Sequence, residues 1–368
     1  MAAVRGMSDT LQRNDTRITP GRDRMLTCVS LATFLCFLWY ADSYFGDYSI
    51  RILNNIAIFT MLAVSYNLIN GVTGQFSLGP NAFLAIGAYT SSLLTLSPEE
   101  KLRTFIIEPL VWPISEISVS FPVSIVAAGV VAALLALLMA IPVFRVRGDY
   151  LAIVTLGFGE VIQVVANNVV SVTNGPLGLK GLPPYTNLWW SWGVCLLTIL
   201  CVVRLVNSSY GRAMKAVRED ETAAEAMAIN AFRTKTLAFT FSAFVQGAAG
   251  GLLAHLITTI SPSLFTFMLT FNLLIMIVIG GLGSTTGAVI GAVLVTWGGE
   301  LLRAFEEPVT VFGYTYEGIP GMRMVIFSVL LVLVMLFARS GIMGRHEFSW
   351  QALINRCHLI GNFLRRHS

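Results

Sequence analysis

Charged side chains are scarce in this chain. Asp, Glu, Lys and Arg make up 12% of its 368 residues, about half their usual share in a soluble domain. That is too little charge to coat a water-soluble protein of this size, and the mean hydropathy is correspondingly high at +0.73. The period-two alternation of barrel strands about 10 residues long is missing too. Apolar runs of about 20 residues stand in its place, enough for a helix to cross about 30 Å of hydrocarbon. The expected class is all-α, a polytopic transmembrane helical bundle.

Cysteine is sparse and scattered. Cys28, Cys36, Cys195, Cys201 and Cys357 form no CxxC pair and no Cys/His cluster, which excludes a disulfide framework and a metal site. They read as small apolar packing residues. There is no GxxxxGK[ST] loop, no HExxH and no GxSxG, and Gly281-Leu-Gly283-Ser-Thr-Thr-Gly287 is not a dinucleotide fingerprint. No catalytic residues, no cofactor in this chain and no nucleic-acid partner are expected. Without clustered acids, bases or metal ligands, a membrane-embedded enzyme is a poor reading. The chain is expected to move a solute, and any ATP driving it must bind another subunit.

Ten spans are readable, at about 25–44, 51–70, 80–96, 119–144, 149–171, 186–206, 235–260, 268–281, 285–303 and 320–338. They imply a cytoplasmic N-terminal tail (1–24), a transmembrane permease domain (25–338) and a basic cytoplasmic C-terminal tail (339–368). The polar lead is long and lacks a small-x-small cleavage site, so the first span reads as an uncleaved helix. Lys and Arg favour the cytoplasmic side. Arg145 and Arg147, then Arg212, Lys215, Arg218 and Arg233, and the arginines of the C-tail all fall on one side. The 97–118 and 300–319 loops on the other side are rich in Glu. Both termini are therefore expected inside. Trp189, Trp190 and Trp192 fall at the same outer interface as Trp39, Tyr40 and Tyr44.

Polar residues inside apolar spans are costly and face protein or water. In the fifth span Gly157, Glu160, Gln163 and Asn167 are spaced 3, 3 and 4, which puts them within about a third of the helix circumference. This stripe either lines a solute path or forms a hydrogen-bonded seam between helices. Two glycine-rich stretches, Gly71 to Pro80 (with Gln75 and Ser77) and Gly280-Gly281-Leu-Gly283-Ser284, read either as broken helices or as tight turns. Their placement after the second and eighth spans hints at two related halves, an inverted repeat. Gly247 and Gly251 have the spacing of a close helix contact, and Gly280, Gly281 and Gly283 are further packing candidates. His255 is a lone histidine without an evident partner and reads as structural.

The 207–234 loop is rich in helix formers. Met214, Val217, Ala224 and Met227 give it an apolar stripe, which fits either docking in a partner groove or folding back on its own bundle; docking is the favoured expectation.

Four stretches resemble one family: Asn70 to Tyr89, Arg147 to Glu160, Glu221 to Asn230, and Gly280 to Ser284, with Thr173 to Gly178 adding to the likeness. The chain from about 50 to 338 is similar to permease subunits of bacterial ABC importers for branched-chain amino acids, of the LivM type. It departs at Pro80, where such permeases often have His, and at Ala228, where they often have Gly. The resemblance implies alternating access in the bacterial inner membrane, driven by separate ATP-binding subunits. It also implies a second related permease and a periplasmic substrate-binding protein. Glu221, Ala224, Glu225, Met227, Ile229 and Asn230 would then lie in the element that touches the ATPase, and Gln75, Ser77, Gly157, Glu160, Gln163 and Asn167 along the path. A urea or short-amide importer of the same architecture, and an ion-coupled secondary transporter using Glu160, remain alternatives.

Overall fold

The computed structural model describes residues 20–105, 108–144, 150–303, 309–311, 314–316, 321–337, 341–344 and 347. Most of both tails lies outside these residues, as do Arg145, Arg147 and Gly148. The chain falls into two compact units, one holding residues 1–45 and 347–368, the other Gly46–His346. Helix α1 (Pro20–Tyr44) belongs to the first and exposes Leu31, Phe37, Trp39 and Tyr40 along its length.

In the second unit, α2 (Asp47–Asn67) starts with Asp47, whose charge suits a helix N-terminus. It runs into a π turn, Leu68–Val72. Helix α3 (Pro80–Thr95) has Pro80 in its first turn, where the fixed φ is already helical and no N–H is lost. A short helix α4 (Pro98–Thr104) follows, opened by a Ser97/Glu100 capping box. Then come α5 (Phe121–Val143), α6 (Tyr150–Asn168) and α7 (Leu188–Asn207). Two short helices, α8 (Ser209–Glu219) and α9 (Glu221–Ala226), precede the long α10 (Ala231–Ile257). The chain continues through α11 (Phe267–Gly280), α12 (Thr285–Arg303) and α13 (Met322–Phe337).

Among the described residues, eight helical segments are long and apolar enough to cross a membrane. Helices α3 and α13, at 16 residues each, rise about 24 Å and bring the number to about ten. The unit is all-α apart from two small antiparallel pairs among the described residues: β1 (Leu179–Lys180) with β2 (Thr259–Ile260), and β3 (Val309–Val311) with β4 (Tyr314–Tyr316) in the 300–319 loop.

The two halves of this unit exchange helices. Helix α10, late in the chain, packs on α3 and α5, while the early α2 packs on α11 and α12. Small residues make the first crossing close. Any side chain on Gly87 would run into the Gly247 backbone, and one on Gly250 into the Leu84 carbonyl. Ala128, Ala132, Ala136 and Ala140, four apart on α5, are fully buried in the same layer. Phe239 of α10 stands edge-on to Phe83 and Phe144, at 5.4 and 5.5 Å between centroids. With little hydrophobic force between helices in lipid, such close contact is what holds spans together.

Candidate translocation and coupling elements

Past the π turn that ends α2, the chain leaves the helix and resumes it at Pro80. Residues 74–79 form neither helix nor strand, with Gln75, Ser77 and Gly79 buried. Irregular backbone at membrane depth survives only when its polar groups are satisfied by protein or face a cavity. Here Ser77 is held at both ends: its N–H donates to Asn70 Oδ1 (3.1 Å), and its carbonyl accepts from the Tyr66 hydroxyl (2.7 Å). Leu78 N–H donates to Thr155 Oγ1 on α6 (2.8 Å). Gln75 is 6% exposed, and neither its Nε2 nor its Oε1 has a hydrogen-bond partner among the described residues.

Helix α6 has two distinct faces. Thr155 and Gly159 turn inward, Thr155 against Gly79 and Gly159 against the Asn81 amide. Asn81 in turn donates to the Phe265 carbonyl ahead of α11 (3.3 Å). The stripe singled out in the sequence sits differently. Gly157 has no neighbouring atom within 4 Å of where a Cβ would stand, and Glu160 is exposed. Gln163 reaches the Pro262 carbonyl at 3.5 Å, and Asn167 donates to the Gln163 carbonyl (3.0 Å). Among the described residues, nothing closes on the Gly157–Glu160 part of the stripe.

The two glycine-rich stretches meet each other. Asn67, at the end of α2, accepts from Gly283 N–H (2.9 Å) and donates to the Ser284 carbonyl (3.0 Å). Gly71 lies so close to Gly283 that neither has room for a side chain. Gly281 and Gly283 take φ of 121° and 92°, in the region that favours glycine. Gly280 abuts the Gly287 backbone, which brings α11 and α12 together.

The α8–α9 element is tied to this junction. Arg218 of α8 donates through Nη1 to the Gly71 carbonyl. Its stem covers Gly74, where a Cβ would stand 2.7 Å from Arg218 Cγ, and its guanidinium covers Gly283, where one would stand 2.6 Å from Nη1. One side chain thus touches both glycine-rich stretches. The apolar stripe mostly turns inward: Met214, Val217 and Ala224 are buried, the last two in a cluster with Ala231 of α10. Amphipathic spacing shows that a face is buried, not against what, and here α10 covers most of the face expected to dock. Met227 is the exception at 78% exposed, with Glu225 exposed beside it. Glu221 pairs with Lys235 at 2.6 Å and braces α9 on α10. Ile229 N–H donates to the Ala224 carbonyl (3.0 Å) and Asn230 caps α10 by accepting from Arg233 N–H (2.9 Å). Ala228 takes φ of 62°, so the position where related permeases often have Gly does adopt a glycine conformation.

These arrangements fit a family. The profile described as "Branched-chain amino acid transport system / permease component" matches residues 48–338. The chain belongs to this family. It is 30% identical over 329 residues to the high-affinity branched-chain amino acid transport system permease protein LivM of Salmonella typhimurium, covering 80% of this chain and 70% of the relative. It is also 30% identical over 320 residues to the LivM of Escherichia coli, covering 78% and 68%. A second kind of permease, LivH of Escherichia coli, is 24% identical over 330 residues, covering 84% of this chain and 97% of LivH. No solved structure matches significantly.

The permease is a transport subunit, and the sequence reading found its spans and glycine stretches but missed their ties. Arg218 looked like an ordinary inner-side cation. Asn67 sat unremarked at the end of an apolar run. His255 has partners after all, Thr95 Oγ1 at 3.1 Å and the Pro183 carbonyl at 2.9 Å, and packs between Phe121 and Tyr185. Lys101 in the 97–118 loop is buried and donates to the carbonyls of Ile114 (2.8 Å) and Ile117 (2.5 Å). Burial pushes its pKa down from the usual lysine value.

Proposed function

We propose that this chain is a membrane-spanning subunit of an ATP-driven importer that carries branched-chain amino acids by alternating access across a bacterial inner membrane. ATP hydrolysis takes place in separate subunits that dock on α8 and α9, a second related permease completes the path, and a periplasmic binding protein delivers the solute. Both termini lie in the cytoplasm.

The observation that carries this reading is the Arg218 junction. An exposed two-helix element, presenting Met227 and Glu225 outward, grips both glycine-rich stretches through one side chain. A displacement of α8 is thereby delivered to the ends of α2, α11 and α12 together. The open face of α6 supports the pairing of permeases. A carboxylate at mid-membrane costs about 2.5–3.5 kcal/mol on insertion scales, so the Gly157–Glu160 face is covered by protein or water rather than lipid. The path then runs along Gly157, Glu160, Gln163 and Asn167, with Gln75 and Ser77 on the non-helical segment behind α6. The close glycines at Gly247, Gly251, Gly280, Gly281 and Gly283 keep the spans rigid around it. The names LivM and LivH, two permeases of one high-affinity system, support a pair of unlike subunits.

The test is reconstitution of the chain with a second permease, a P-loop ATPase and a binding protein in vesicles. ATP-dependent uptake of leucine, isoleucine or valine is expected, with urea as the control solute. Uptake by the chain alone down an ion gradient, without ATPase, would overturn the proposal.

A further inference from the structure

Away from the path and the coupling helices, an open groove of about 500 Å³ runs between α5 and α10. Its walls are almost wholly apolar: Leu137 of α5 faces Phe241 and Phe244 of α10, and Phe244 lies on Gly129. At one end stands Arg233, exposed, with no acidic side chain paired to it among the described residues, whereas its neighbour Lys235 is paired with Glu221. Arg233 also occupies the third position of α10, after its cap Asn230. A cation there opposes the positive end of the helix dipole, so its charge is doubly uncompensated.

The groove's length is informative. Arg233 to Phe244 spans 11 residues, a rise of about 17 Å, close to half of a hydrocarbon core about 30 Å thick. The groove is therefore one leaflet deep, with its cation at the interface. Thr236 and Thr240, on the same face of α10 as Arg233, line the groove and their hydroxyls have no partner among the described residues.

From this juxtaposition we infer that the groove is a binding site for one anionic phospholipid, an acyl chain between α5 and α10 and the headgroup phosphate on Arg233. On the orientation proposed above this is an inner-leaflet lipid. The site itself does not depend on transport. The anion offsets both the unpaired guanidinium and its unfavourable place on the helix, and basic pockets between spans on the cytoplasmic side recognise anionic headgroups in this way.

The full chain, purified in mild detergent and stripped of lipid, is titrated with phosphatidylglycerol and with phosphatidylcholine of the same acyl chains. Retained lipid is counted by native mass spectrometry. Phosphatidylglycerol should bind more tightly, and Arg233→Gln should weaken it about fivefold while weakening phosphatidylcholine, whose choline offsets its phosphate, by less; Arg233→Lys should retain the preference. Leu137→Trp, which fills the groove, should displace both lipids. Equal retention of the two lipids by the unaltered chain, an unchanged preference in R233Q, or unchanged binding in L137W would each overturn the site. So would loss of the lipid once the second permease is bound, since the groove would then be a subunit interface. None of these outcomes bears on whether the chain imports amino acids.

Discussion

Arg218→Met isolates the guanidinium. Methionine keeps much of the stem that covers Gly74 but cannot donate to the Gly71 carbonyl, which is buried with its residue. A hydrogen bond from a charged donor contributes about 1.5–3 kcal/mol. If that energy holds α8 to the glycine junction, its loss lowers the fraction of ATP cycles that move the junction by about 10- to 100-fold, at about 1.4 kcal/mol per factor of ten. The assay is solute carried per ATP hydrolysed in the reconstituted complex, measured beside ATP hydrolysis alone and the melting temperature of the purified chain. The expected signature is a fall in solute per ATP with basal hydrolysis maintained, partly restored by Arg218→Lys, which keeps a donor and the charge. A purely structural Arg218 would lower melting temperature and both activities in parallel. An R218M complex that carries solute at the original ratio would refute the linkage outright.

Other expectations follow from the same geometry. Glu160→Gln, on an exposed face with an open neighbour at Gly157, should change melting temperature by less than an equivalent of about 0.5 kcal/mol yet reduce uptake; unaltered uptake would remove Glu160 from the path. Ala228→Gly relieves a left-handed residue costing about 1–2 kcal/mol, partly offset by glycine's greater freedom when unfolded. The net gain should be below about 1 kcal/mol, whereas Ala228→Val should lose at least that much, both read by hydrogen exchange across 221–230. Lys101 has a depressed pKa in the fold, so between that value and about 10.5 the unfolded loop binds more protons. Protection of residues 97–119 from proteolysis should therefore rise with pH through that window. Lys101→Met should abolish the rise and cost about 1–3 kcal/mol by leaving the Ile114 and Ile117 carbonyls without their donor.

The spans were legible because bilayer thickness fixes how many apolar residues a helix needs, and nearly every predicted end falls within a few residues of the observed one. Gly247 and Gly251 were legible as a close contact, but not their counterparts. Gly87 lies 160 residues earlier and nothing local marks it as the other half of the crossing. The α8–α9 stripe shows the same limit. Its period announced a buried face, and only the structure shows that Ala231 of α10 covers Val217 and Ala224 while Met227 is left out. The polar stripe of α6 was visible as a period, but a period does not show what lies opposite, and only the structure shows that Gly157 and Glu160 face outward. Arg218 was the least legible, since a lone arginine in a basic loop carries no sign of the two glycines it sits upon.

The exchange of helices between halves has a consequence for biogenesis. Helix α2 leaves the ribosome well before the partners of its polar groups. Asn54 is met by Ser191, the Ser65 carbonyl by Ser242 and Asn67 by Gly283 and Ser284, at separations of 137, 177 and 217 residues. Until residues 283 and 284 have been made, α2 must sit in the membrane with these groups unmatched. The amino-terminal half is thus an obligate intermediate, and its natural hazards are premature association with other spans and capture by membrane quality control. Two fragments divided in the 207–234 loop would each be unstable alone, and would have to be produced together to regain a working permease.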